Sequence, residues 1–167
     1  MALVRGAVFA LALLGAGLPA AAPAAETSGL PLPRFVSLRS DEVNLRTGPG
    51  VRYPIDWIYL RKDLPVEVVA EFEAWRKIRD WEGAEGWVHQ SMLAGRRMMV
   101  VVGSQSHLLR AADSAAAAPV AQVEAGVLGR LLQCPRNREF CRVEIGQIQG
   151  WLRREEFWGV YKGEWLE

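Results

Sequence analysis

The chain has 167 residues, of which half are hydrophobic and 23% are charged, and this balance excludes a disordered chain, a collagen and a coiled coil. Its first 25 residues carry a single charge, Arg5. Without them, 142 residues remain with 19 basic and 19 acidic side chains, so the formal charge is about zero. A neutral domain has no excess of cations with which to bind a phosphate backbone, and the composition therefore argues against nucleic acid as a partner.

The amino-terminal segment predicts a secretory signal peptide over residues 1–25. Arg5 precedes an apolar stretch at 8–18, and small residues follow it. The alternative is an uncleaved membrane anchor, since the uncharged run is nearly long enough to span a bilayer. Pro19 and Pro23 favour cleavage because they break a spanning helix. We therefore expect a periplasmic or secreted protein with no stable membrane span after cleavage.

The only two cysteines are Cys134 and Cys141. In an oxidising compartment such a pair most often forms a disulfide, and closing a loop of about 8 residues contributes roughly 2.5 kcal/mol. The alternative is a metal site, but two thiols without a nearby His or a second pair do not fill a tetrahedral zinc shell. We expect the disulfide and no metal.

The chain contains an internal repeat. The dipeptide LR at 45–46 recurs at 109–110, and GWV at 86–88 returns as GWL at 150–152, in both cases 64 residues later. Two matches at the same offset imply two copies of one unit. The predicted organisation is a linker over 26–35, copies over 36–95 and 98–161, and a tail over 162–167.

Both copies are predicted to be all-β, because their apolar residues alternate and no stretch has a helical period long enough for a stable helix. Turn signals such as TGPG at 47–50 and EGAEG at 82–86 separate the strands. About five strands in so short a chain predict a small barrel. The most helix-like segment, 113–123, is interrupted by Pro119, so we expect a loop with at most one turn.

The string NLRTGPG at 44–50, followed by GWVHQSML at 86–93, resembles the bacterial Src-homology-3-like (SH3-like) domain. The second copy resembles it less closely, and the tandem with an exported leader is similar to small proteins of Gram-negative bacteria. The resemblance implies a partly open five-stranded barrel in each copy. Asp63 stands where the family often has Gly in a turn, which is tolerable because Asp adopts the left-handed region.

The same resemblance implies a ligand-binding groove in the first copy. Its aromatic side would be Trp75 at the start of the third strand, with His89 and Met92 near the last helical turn. Tyr53 and Trp57 would form the opposite wall. The family's usual role is to bind peptides or cell-wall glycan, or Pro-rich peptides in its eukaryotic members, and that role requires no cofactor and no catalytic residue.

Strand alternation assigns the tryptophans differently. Trp87 directly follows Gly86 and is predicted to lie in the core. Trp75 is three positions from Ile78, the predicted inward residue, and so faces outward. Two interpretations of Trp75 stay open, contact with a ligand or packing against the second copy. His89 has no acid or thiol beside it, and an ordinary exposed histidine is the plainer interpretation.

The second copy is predicted to lack the groove and to be chiefly structural. At the 64-residue offset, Arg153 and Glu156 replace His89 and Met92, and Phe140 is the only aromatic counterpart. A basic patch in this copy suggests an anion site. The alternative that we favour is a solvated loop neutralised by nearby glutamates. The patch consists of Arg136, Arg138, Arg142, Arg153 and Arg154.

These observations predict an exported, non-catalytic binding protein whose partner is a cell-wall peptide or glycan, or a Pro-containing peptide. The alternative is a structural protein in a cell-envelope assembly that binds no such ligand. Neither His89 nor His107 belongs to a hydrolase motif.

Overall fold

The computed structural model describes residues 27–167, and the predicted signal peptide lies outside them. The first copy contains strands β1 Arg34–Leu38, β2 Val43–Arg46, β3 Ile55–Tyr59, β4 Pro65–Phe72, β5 Trp75–Arg79, β6 Glu85–His89 and β7 Leu93–Ala94. The second contains β8 Met98–Val101, β9 His107–Arg110, β10 Pro119–Val123, β11 Leu128–Gln133, β12 Phe140–Ile145, β13 Ile148–Arg153 and β14 Phe157–Trp158. A single 3-10 turn precedes the last strand of each copy, Gln90–Met92 in the first and Arg154–Glu156 in the second.

The two copies have the same antiparallel topology. The strand order is β3-β2-β6-β5-β4-β1-β7 in the first sheet and β10-β9-β13-β12-β11-β8-β14 in the second. The prediction of an all-β chain with two tandem small barrels is confirmed, although each sheet is divided into seven strand segments rather than five. The first strand begins at Arg34, inside the predicted linker.

The repeat offset is visible in the strand register and in two glycines. Arg46 pairs with Trp87 in the first copy, and Arg110 pairs with Trp151 in the second. A Cβ atom on Gly86 would lie 2.5 Å from Cγ of the adjacent strand's leucine and 2.9 Å from a carbonyl oxygen, and Gly150 has the same two distances. Both positions therefore require glycine for close packing of two strands.

The expectation of a loop over 113–123 is wrong for its second half, because Pro119–Val123 forms β10. This strand is at the edge of its sheet and pairs only with β9 among the described strands. Proline lacks an amide hydrogen but is tolerated at the first position of an edge strand, where it disrupts no central ladder.

Trp87 was expected in the core, and this prediction is wrong. Val88 is fully buried and belongs to the first core, whereas Trp87 is half-buried on the opposite face of β6. Gly86 and Val88 take the two inward positions of the strand, so alternation turns Trp87 outward. On the neighbouring strand, Ile78 is fully buried and Trp75 is half-buried, as predicted.

An aromatic cluster joins the two barrels. Phe35 of β1 is buried between Trp158, 4.7 Å away in an edge-on arrangement, and Tyr161, 4.6 Å away. Leu128 of the second copy packs against the first core. Aromatic pairs at such distances stabilise by about 0.5–1.5 kcal/mol beyond burial of their area. The cluster explains the aromatic-rich carboxyl-terminal segment.

Buried polar contacts reinforce this interface. The carboxylate of Glu67 accepts hydrogen bonds from Arg79 within its own barrel and, at 2.8 Å, from the hydroxyl of Tyr161. Burial, and then the bond to Glu67, raise the pKa of Tyr161. Arg97, from the segment between the barrels, makes a two-pronged pair with Glu164 at 2.6 and 3.0 Å. The two barrels are therefore in direct contact through the hydrogen bond between Tyr161 and Glu67 as well as through the aromatic packing around Phe35.

Cys134 and Cys141 form the predicted disulfide, and both are fully buried. The bond closes the hairpin between β11 and β12. The backbone of Cys134 exchanges two hydrogen bonds with Leu166, at 2.9 and 3.0 Å. The residues near the carboxyl terminus are thereby attached to the hairpin that the disulfide closes.

Candidate functional site

Trp75 and His89 form one contact on the outer face of the first barrel. They are directly opposite each other on β5 and β6, and their rings meet edge-on with centroids 5.5 Å apart. Nδ1 of His89 lies 3.3 Å from the amide of Ser91 and 2.7 Å from its hydroxyl. Because an amide only donates, Nδ1 is the acceptor, and a neutral His89 carries its proton on Nε2.

Trp87 extends this surface, and sequence reasoning missed it. It lies two residues before His89 on the same face of β6 and pairs across to Lys77 of β5. It is thus the diagonal neighbour of Trp75, at about 7 Å. The signal was present in the sequence, because Val88 is the more typical inward residue of the string GWVH. We name Trp75, Lys77, Trp87 and His89 the outer aromatic face.

The outer aromatic face has little net charge. Lys77 forms an ion pair with Glu85 at 2.7 Å, and both side chains are about a third exposed. The hydrogen bond from Lys77 outweighs the effect of burial and lowers the pKa of Glu85. With its lysine paired, the surface offers mainly indole and imidazole rings, which suit sugar rings and extended peptides.

The other three predicted site residues are in other parts of the first barrel. Tyr53 follows the Gly-Pro turn, and its ring lies against Gly48. Trp57 is 59% exposed on β3, an edge strand of the sheet. Met92 ends the first 3-10 turn and is partly buried against the first core. Of the five residues, Trp75 and His89 are the pair whose rings the structure brings into contact.

Trp75 takes no part in the aromatic contacts between the barrels within residues 27–167. Those contacts are made by Phe35 with Trp158 and Tyr161. Phe35 pairs in register with Glu67, and Glu67 with Arg79, at the far end of β5 from Trp75. Trp75 therefore lies at the opposite end of β5 from the interface that joins the two copies.

The second barrel has the same pair of positions, filled differently. Phe140 and Arg153 are opposite each other on β12 and β13, and the guanidinium of Arg153 lies 5.2 Å from the centre of the Phe140 ring. Phe140 is only 4% exposed, so the cation forms the outer surface here. An aromatic pair in one barrel is replaced by a cation stacked on an aromatic ring in the other.

The second copy has a cleft of its own, at a different place from the groove predicted for the first copy. This open cleft of about 710 Å³ lies beside Arg153, with walls from residues 137–139, 153–155 and 160–163. Three arginines of the basic patch predicted from the sequence line it, Arg138, Arg153 and Arg154. The sequence did not indicate the wall at 160–163, because packing and not proximity in the chain brings that segment to the hairpin.

Residues 27–167 contain neither a metal-binding cluster nor a candidate membrane-spanning helix. No group of three or more His, Cys, Asp and Glu side chains is arranged to hold a metal ion. The same residues include no helix with the length and apolar character needed to cross a membrane.

Comparison with known protein families identifies both copies. The bacterial SH3 domain family matches residues 39–95 and again residues 103–159, which together exceed half of the chain. The protein therefore belongs to the bacterial SH3 domain family and contains the domain twice. Domains of this family are generally binding modules.

Comparison with individual proteins gives weak structural matches and no match among curated proteins. No curated protein matches the chain. Among solved structures, NlpC1 from Trichomonas vaginalis is similar at 15% identity and a TM-score of 0.34, and NlpC2 from the same organism at 14% and 0.34. The alignments cover 81% and 78% of this chain and 48% of each of those chains, so this chain spans about half their length. Likeness at this TM-score supports no conclusion about activity.

Proposed function

We propose that this protein is an exported, non-catalytic binding protein whose first barrel holds an extended cell-wall peptide or glycan on the outer aromatic face. The observation that carries the proposal is the position of Trp75. It is outward and half-buried, packed on His89, and separate from the contacts between the barrels. A contiguous aromatic patch that remains exposed on a protein surface is typical of a ligand-binding site.

Export to the periplasm or beyond is part of this proposal. It is supported by the apolar leader with its single early charge. The buried disulfide is a second support, because such bonds persist in oxidising compartments.

Retention on purified peptidoglycan tests the proposal. We expect Trp75→Ala to weaken retention about tenfold, which corresponds to the loss of one central aromatic contact. Trp165→Ala is the matched control, because Trp165 is 45% exposed in the second copy, outside the outer aromatic face. Equal retention of both variants, or no retention of the unaltered protein, would contradict the proposed site.

A structural role in an envelope assembly is a second candidate, favoured by the exposed edge of the first sheet. On β3, Ile55, Trp57 and Ile58 are 45%, 59% and 44% exposed. Apolar edge strands are sites at which other chains add strands. Under this alternative, Trp57→Lys would abolish co-purification with an envelope partner, and Trp75→Ala would leave it unchanged.

A further inference from the structure

We propose that the cleft of the second barrel is a binding site for a carboxylate group of an acidic peptide. The cleft is formed where the β11–β12 hairpin, the second 3-10 turn and the segment at 160–163 converge. Four cations line it, Arg138, Arg153, Arg154 and Lys162, against two carboxylates, Glu139 and Glu155. The site belongs to a different barrel from the outer aromatic face and does not depend on it.

Local pairing leaves this cleft positively charged. Arg138 is paired with Asp113. Arg154 instead donates to three backbone carbonyls, those of residues 135, 138 and 164, at 2.7 to 3.1 Å. Carbonyls satisfy its donors without cancelling its charge, and no carboxylate of residues 27–167 forms an ion pair with Arg154 or Lys162. An unneutralised arginine fixed in a cleft wall favours an anion nearby.

Arg153 is the group placed to contact the ligand. Its guanidinium is held over the Phe140 ring at 5.2 Å and is 36% exposed. Its nearest carboxylates, Glu139 and Glu155, lie 3.8 and 3.7 Å away and are 79% and 78% exposed. Contacts of that length between solvated groups are weak, so a ligand carboxylate that meets the fork of Arg153 with both oxygens would replace them.

The two rim glutamates favour a peptide over a simple anion. Glu139 and Glu155 flank Arg153 and are largely exposed, so their oxygens are open to N–H donors of a ligand bound at the arginine. The ligand must therefore offer an anion to the arginine and hydrogen-bond donors to the rim. A peptide with acidic residues satisfies both requirements, because it offers a carboxylate to the arginine and backbone donors to the rim.

Titration with short peptides, followed by backbone NMR shifts of the full protein, tests this site. The probe is a blocked tetraglutamate peptide, and the comparison probe is the blocked tetraglutamine peptide. We expect only tetraglutamate to shift amides of 137–139, 153–155 and 160–163. Shifts of equal size with tetraglutamine, or no shifts with tetraglutamate at millimolar concentration, would overturn the proposal.

Charge-matched variants locate the contact. The variant Arg153→Gln should weaken tetraglutamate binding at least tenfold. Arg142→Gln should change it less than twofold, because Arg142 is exposed outside the cleft and donates to Gln149. An equal loss in the control would mean attraction by net charge only, and would overturn the site. Inorganic phosphate is the second arm, and tighter binding of phosphate than of tetraglutamate at these amides would overturn the carboxylate assignment.

Discussion

The two barrels share one backbone arrangement but stabilise the same hairpin by different chemistry. In the second barrel, the Cys134–Cys141 disulfide closes the hairpin of β11 and β12. In the first, Glu71 of β4 accepts a bond from Arg34 at 2.7 Å and pairs with Arg76 of β5 at 3.1 Å. One hairpin is closed covalently and the other by ions, so the two barrels differ in their sensitivity to reductant and to acid.

A second difference is the reversal of a cross-strand ion pair. Glu67 faces Arg79 between β4 and β5, and Arg130 faces Glu144 between β11 and β12. The register is equivalent, and only the signs are exchanged. In the first barrel the carboxylate also accepts the bond from Tyr161. The carboxylate of this pair is therefore the acceptor that the first barrel supplies at the interface.

The common backbone can be tested at its two tight glycines. Gly86→Ala and Gly150→Ala should each destabilise the protein by about 3 kcal/mol, because the new Cβ overlaps a leucine side chain and a backbone oxygen. Chemical denaturation measures both losses. A loss below 1 kcal/mol for one variant alone would show that the two packings are not equivalent. Gly95→Ala is the control, since nothing lies within 4 Å of its Cβ position.

Removing the disulfide should weaken the second barrel selectively. The double variant Cys134→Ala with Cys141→Ala, which places no hydroxyl in the core, should lose about 2.5 kcal/mol, because the unfolded hairpin is no longer constrained. Hydrogen exchange of β11 and β12 amides, compared with those of β4 and β5, measures the selectivity. Equal acceleration in both hairpins would show that the two barrels unfold as one unit.

Acid should weaken the first barrel through Glu71. Burial alone would raise the pKa of this carboxyl, but bonds from Ser28 and Arg34 and the charge of Arg76 lower it from 4.5 to about 2. The ionised Glu71 carboxylate stabilises the folded state fully above about pH 4.5, and this stabilisation is lost as the pH falls toward 2. The free energy of unfolding falls by about 2 kcal/mol over this range, after allowance for solvent screening. Denaturation at pH 6 and pH 3 measures the change.

Glu71→Gln is the control for the acid experiment. This variant should lose stability at pH 6 and show a smaller further loss at pH 3 than the unaltered protein. Glu164, whose pKa is also lowered, titrates in both proteins, so the difference between them isolates Glu71. If both proteins lost the same free energy of unfolding between pH 6 and pH 3, the acid sensitivity could not be assigned to Glu71.

The smallest expected effect concerns a buried polar pair that only the first barrel has. The hydroxyl of Tyr59 donates to Asp80 at 2.9 Å, and burial followed by this bond raises the pKa of Tyr59. By strand register, Val123 stands at the position of Tyr59, and Ile145 follows Glu144 as Asp80 follows Arg79. Both Val123 and Ile145 pack in the core of the second barrel. Tyr59→Phe should cost about 1 kcal/mol, measured by thermal unfolding. Asp80 keeps bonds from two backbone amides, so a cost above 3 kcal/mol would mean that this account of the pair is wrong.

The amino-acid sequence alone predicted the repeat, the all-β class, the disulfide partners and the outward side of Trp75. Each of these features follows from the spacing of residues in the sequence, because strand alternation and a repeat offset can be recognised without knowledge of the fold. It also predicted that Asp63 adopts the left-handed region, and its φ angle is 61°.

Packing between segments that are distant in the sequence sets which strand faces are covered and where a cleft opens. Alternation separates the two faces of β6 but does not say which one is the core, so Trp87 was assigned to the wrong face. The edge position that admits Pro119 depends on strand order. The charged cleft brings 137–139 together with 160–163, and no local pattern encodes a contact over that separation.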